Sequence, residues 1–116
     1  MAQTKPLCDL AVTTLEQFDE LRTKGHVLAF LHFDDITWGS TANRLFKGGV
    51  LDYCRRKEIT VVSVDVDSVP EIRQRYDFLS NPQAYAFGGH GVKLGTHTEI
   101  VCAGDLIASL IDWYGK

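Results

Sequence analysis

The chain has 116 residues, with 12 basic and 15 acidic side chains giving a formal net charge of −3, and with 45% apolar against 23% charged residues. Those values describe one globular domain over 1–116, long enough for one packed core, too short for two, and with no stretch polar enough to stay unfolded. Lys and Arg are scattered apart from Arg55-Arg56-Lys57, so nothing draws the chain toward nucleic acid, and the longest apolar run, Val27 to Leu31, is too short to cross a membrane.

Met1-Ala2-Gln3-Thr4-Lys5-Pro6 lacks the apolar centre of a signal peptide, so an intracellular, cytoplasmic protein is expected. Cys8, Cys54 and Cys102 are odd in number and widely separated, which fits neither a disulfide framework nor a zinc site with close ligand pairs. A reducing compartment is the simpler assumption.

A short extended piece is expected around Leu10 to Val12. Thr13 with Glu16 and Thr14 with Gln17 then form overlapping capping boxes that start a helix, whose inward face carries Leu15, Phe18 and Leu21 and which Gly25 can end in the left-handed conformation. Val27 to Phe33 is a nearly continuous apolar run, as in a central strand covered on both faces. Ser40 or Thr41 can cap a second helix bearing Leu45, Phe46, Val50, Leu51 and Cys54 inward, with a bend expected at Gly48-Gly49. At its end, Arg55-Arg56-Lys57 complements the helix dipole.

Ile59 to Val66 reads as a second buried strand, and Ser68-Val-Pro-Glu71 as a helix start with Ser68 capping and Pro70 in the first turn. Gln83 to Phe87 is a short strand, Gly88-Gly-His-Gly91 a hairpin turn, and Val92 the beginning of the partner strand. Leu106, Ile107, Leu110, Ile111 and Tyr114, behind Asp105, make a closing amphipathic helix. Crossovers imply parallel pairing and the final hairpin antiparallel pairing, so the expected class is α/β with a mixed central sheet and helices on both faces.

That order, in this length, resembles the thioredoxin family. Val64-Asp-Val-Asp67, followed by Pro70-Glu71, Tyr76 and Pro82, is similar to the family's Val-Asp-rich strand, short helix ending in Tyr-Gly, and downstream proline; Tyr76-Asp-Phe-Leu-Ser-Asn-Pro82 reproduces the spacing. Leu106, counted from Gly91, falls where the family's last helix presents its first core leucine, and Val27 to Phe33 resembles its central strand. The resemblance implies a three-layer thioredoxin-like sandwich. It also places Trp38, after one extra residue, at the tryptophan before the redox motif, and Gly39-Ser40-Thr41-Ala42 where Cys-x-x-Cys belongs. The family's buried proton-transfer aspartate maps to Phe30.

Thiol–disulfide exchange needs a thiolate and, in the usual version, a second thiol to resolve the mixed disulfide. Hydroxyls at Ser40 and Thr41 cannot supply that chemistry, and a register through Asp35 or Ile36 brings in no cysteine either. Cys54 falls on an inward helix face, the place of a small hydrophobe; with Arg55, Arg56 and Lys57 beside it, the alternative is a regulatory thiol if it is exposed. His26, His32, His90 and His97 are scattered and compose no metal site, Asp34-Asp35 reads as a loop, and Gly88 to Gly91 lacks the context of a phosphate loop. No cofactor or metal is expected.

The resemblance further implies a surface for extended peptides at the loop before the second helix and the segment before the mapped proline, here Trp38, Gly39, Ser40, Thr41, Asn81 and Pro82, with a cis Asn81–Pro82 bond that frees the preceding backbone to pair with a bound strand. Trp38 is either core or a partner anchor. The expected function is therefore a redox-inactive module binding a protein or extended peptide, with a one-thiol redox protein or sensor using Cys54 as the alternative and cell redox homeostasis only as a family association. A glutathione site is disfavoured because Trp38 to Thr41 and Asn81-Pro82 hold no basic residue.

Overall fold

Strand β2 (Val27–His32) is formed by the apolar run after Gly25, and all of its residues are buried, as a strand covered on both faces must be. The structure, a computed structural model, describes residues 10–33, 36–79, 81–98, 100 and 102–115. With β1 (Leu10–Val12), β3 (Thr60–Asp65), β4 (Gln83–Phe87) and β5 (Lys93–His97), β2 builds a five-stranded sheet of order β1-β3-β2-β4-β5. β1 and β2 run parallel to β3, whereas β4 is antiparallel to β2 and β5. The mixed sheet thus follows from the connections, crossovers giving parallel pairs and the hairpin an antiparallel one.

Among the described residues, five α-helices cover it: α1 (Leu15–Thr23), α2 (Ile36–Lys47), α3 (Val50–Arg56), α4 (Glu71–Arg75) and α5 (Ala103–Tyr114). Strand side chains alternate between faces, and this divides the interior in two. Leu28, Phe30, Ala84 and Ala86 point toward α2, α3 and α5, where they meet Leu45, Val50, Cys54 and Leu106. Val27, Ala29, Leu31, Tyr85 and Phe87 face α1 and α4, with Phe18 and Ile72. Small Ala84 lies opposite Phe30 in the β2–β4 register, so the ring has room on that face.

Two tyrosines fasten α5. The Tyr114 hydroxyl lies 2.9 Å from the Val27 carbonyl and 3.0 Å from that of Phe87, sharing its one proton between neighbouring strands. Burial pushes its phenol far above the ordinary value, against the smaller opposing effect of the bond to Phe87. The Tyr53 hydroxyl donates to the Leu110 carbonyl at 3.1 Å and also meets that of Gly115.

Several local expectations are corrected. α2 begins at Ile36, so Ser40 and Thr41 lie within the helix instead of capping it; burial of the Trp38 side chain from a helical backbone outweighs their preference for a cap. Ser68 does not cap α4, because its hydroxyl donates to Asp65 Oδ2 at 3.1 Å, and Pro70 itself stands at the N-cap. Gly25 is not among the left-handed residues, and α1 closes on Lys24 in a right-handed conformation. The Thr14 hydroxyl accepts from the Gln17 amide at 3.1 Å, while Gln17 Oε1 accepts from the Thr13 amide at 3.0 Å, one residue upstream of a simple box. The break at Gly48-Gly49 is present: Gly49, at φ 106°, separates α2 from α3.

Candidate functional site

Of the residues that open α2, Trp38 belongs to the interior. Only 7% exposed, its indole stacks on the His32 ring at 4.2 Å and packs 5.6 Å from Phe30 and 6.3 Å from Phe46. Trp38 is thus packed as a core residue. Thr41 is buried as well. Gly39 is half-buried and Ser40 exposed, and a side chain added at Gly39 would meet nothing within 4 Å, so this part of the face is open. Because α2 starts early, the residues entering it are Ile36-Thr37-Trp38-Gly39 rather than Gly39 to Ala42, and neither set contains sulfur. Phe30, where the resemblance puts a proton-transferring carboxyl, is a fully buried ring in edge contact with Phe46.

The second part of the predicted surface is held from within. The Asn81–Pro82 bond is cis, and Asn81 Oδ1 accepts the Phe33 amide proton at 3.0 Å, tying this corner to the end of β2. Gln83 follows as a buried polar side chain, which needs partners to offset its lost hydration. It finds them in the loop it follows: Oε1 accepts from the Leu79 amide at 2.6 Å, and Nε2 donates to the Asp77 carbonyl at 2.7 Å and the Tyr85 hydroxyl at 2.9 Å. The Tyr85 hydroxyl in turn donates to the Asp77 carbonyl at 2.6 Å. Burial, the largest influence, raises the Tyr85 phenol above its ordinary value.

This scaffold presents a cleft of about 280 Å³ lined by Phe33, Arg73, Phe78, Leu79 and Asn81. The Phe33 and Phe78 rings meet edge-to-face at 5.1 Å, a favourable quadrupole arrangement. Arg73, from α4, lays its guanidinium over both rings at 5.6 and 5.8 Å. Leu79 stands 76% exposed although its backbone is fixed by Gln83. Of the predicted site residues only Asn81 lines this cleft. Phe33, Arg73, Phe78 and Leu79 escaped the sequence reading; their one signal is the apolar pair Phe78-Leu79 in a link without helix or strand period.

Cys54 is fully buried in α3 against the sheet, which removes the access that a regulatory thiol needs, despite its basic neighbours. Cys102 is exposed at the N-cap of α5, and neither forms a disulfide. Cys8, like Asp34-Asp35, lies outside the described residues. Among the described residues no group of three or more His, Cys, Asp and Glu is placed to hold a metal ion, and no helix is long and apolar enough to cross a membrane.

No protein-family model matches the chain, and no curated protein matches it. Solved structures do. The chain is similar to a thioredoxin of Plasmodium falciparum (20% identity over 90% of this chain and 97% of that one, TM-score 0.66). A mutant thioredoxin from Halobacterium salinarum is also similar (18%, covering 97% and 96%, TM-score 0.72), as is the Malassezia sympodialis thioredoxin (17%, covering 97% and 99%, TM-score 0.72). Backbone likeness along nearly the whole length agrees with the strand order β1-β3-β2-β4-β5 and the helices on both faces. The chain therefore has the thioredoxin-like fold.

Proposed function

We propose that this chain is a redox-inactive thioredoxin-fold module that binds an extended segment of a partner protein at the Asn81–Pro82 corner and the cleft beside it. The observation that carries this reading is Leu79: a large apolar side chain held in solvent by a buried amide, next to an aromatic-lined cleft. An exposed apolar residue on a fixed backbone loses little order on binding, so its burial under a partner contributes directly to affinity. Nothing at the entry to α2 supplies a thiolate, and Phe30 supplies no proton.

The thioredoxin neighbours favour a second reading, a one-thiol redox role, and its thiol would be Cys54. The burial of Cys54 opposes it. The test has two arms. Insulin-disulfide reduction should show no turnover above background, and turnover comparable with a two-cysteine thioredoxin would sink the proposal. Panning a displayed library of short random peptides should yield binders whose affinity falls for Leu79→Ser, a surface change that leaves the core intact.

A further inference from the structure

We infer that the cleft beside Pro82 selects an acidic side chain on the bound segment, with Arg73 as the carboxylate receptor. This rests on the docking reading above and adds a chemical class of partner to it: an extended protein segment that pairs an apolar residue with an Asp or Glu.

The charge arrangement around α4 carries the inference. Its two arginines differ in their engagements. Arg75 is bonded to Asp19, which also accepts from Arg22 Nε at 2.9 Å, and Arg22 reaches on to the Gly91 carbonyl at 3.2 Å. Those cations are used in holding α1, α4 and the turn after β4 together. Arg73 is exposed and pairs with no carboxylate among the described residues; its guanidinium lies over the faces of Phe33 and Phe78. A guanidinium resting on ring faces keeps its in-plane N–H fork for another partner, and that fork matches a carboxylate in bidentate geometry. The two rings restrict the side chain beforehand, so less of its rotamer freedom remains to be lost on binding.

The occupant follows from what surrounds that fork. Phe33, Phe78 and Leu79 offer apolar contact, and Asn81 lines the same cleft. The whole chain carries a net charge of −3, so attraction of an acidic segment is a local property of Arg73 and not of the general field. A small free acid would leave Leu79 uncovered; a segment carrying both residue types satisfies both features.

The experiment uses the full chain against a displayed library of short random peptides at low and high salt, followed by titration of synthetic peptides of the enriched sequences. Asp and Glu should be enriched together with an apolar residue, and the affinity of the best peptide should fall about tenfold or more for Arg73→Gln, with binding weakened by salt. Arg73→Lys should recover only part, because an ammonium cannot fork or stack in the same way. Reciprocal exchange separates recognition from mere support of the cleft: Arg73→Glu should bind the peptide whose acid is replaced by Lys better than it binds the parent. Binders that depend on Leu79 but show no acidic enrichment, or acidic binders indifferent to Arg73→Gln, overturn the assignment of Arg73 and leave the docking reading standing. A library that yields no binder overturns both.

Discussion

Phe30 sits at the middle of the face that β2 turns toward α2, α3 and α5, with Trp38, Phe46 and Ala84 around it. Truncation to Ala removes those ring contacts and leaves a cavity under three helices, so Phe30→Ala should lower the stability in urea by about 3–5 kcal/mol. Trp38→Ala belongs to the same class, and any binding it loses would report a damaged core instead of a missing anchor. For Cys54 the expectation is kinetic: in the folded chain, alkylation mapped by mass spectrometry should label Cys102 quickly and Cys54 only as fast as the protein opens. A Cys54 that reacts as fast as Cys102 would restore the redox reading. Sequence could not separate core from surface at Trp38, because an aromatic near a helix start satisfies both patterns, and the His32 ring that stacks on it comes from a different element.

At the scale of elements, close approach decides where glycine is needed. A side chain at Gly95 of β5 would overlap the Trp113 indole of α5, so Gly95→Val should destabilise by about 1–3 kcal/mol through forced separation of helix and strand. Gly49, at φ 106°, has the left-handed backbone that ends α2 and begins α3; Gly49→Ala should cost on the order of 1 kcal/mol, read as a lower thermal midpoint. That break was legible because paired glycines are rare inside helices, and β2, β3 and β4 were legible to within a residue or two because buried apolar runs of that length have few alternatives, whereas the end of β5 was not, since its largely exposed Lys-Leu-Gly-Thr-His carries no apolar run. Nor was the start of α2. Local capping chemistry pointed to Ser40 and Thr41, whereas the site is set by Trp38 reaching the interior, a contact between elements. The same cause hid most of the cleft: Phe33, Arg73 and Phe78 come from the end of a strand, a short helix and a loop, and no sequence period joins them.

Across the whole molecule, Asp19 links α1 to α4 through Arg22 and Arg75. Burial pushes its carboxyl up, but the bonds and charges of the two arginines outweigh this and hold it below its ordinary value of 3.8. A depressed carboxyl stabilises the fold at any pH above its unfolded value, and that contribution is lost as pH falls through the lower folded value. Asp19→Asn should therefore be less stable than the parent by under about 1 kcal/mol at neutral pH, given the partial exposure of the pair. The gap should close in strong acid, and urea titrations at about pH 7 and about pH 2.5 would measure it. The fold itself was legible at this scale because the order of strands and helices admits few topologies; the partner was not, since it depends on surface chemistry that the topology leaves open.

The sheet also divides the molecule optically. The chain has two tryptophans, and both lie on the α2–α3–α5 side, Trp38 within that core and Trp113 packed against it. The opposite side holds Phe18, Tyr76, Tyr85 and Phe87 in mutual ring contact without an indole. Indole emission will therefore watch one half of the interior, while loosening beneath α1 and α4 is seen first in the near-ultraviolet dichroism of tyrosine.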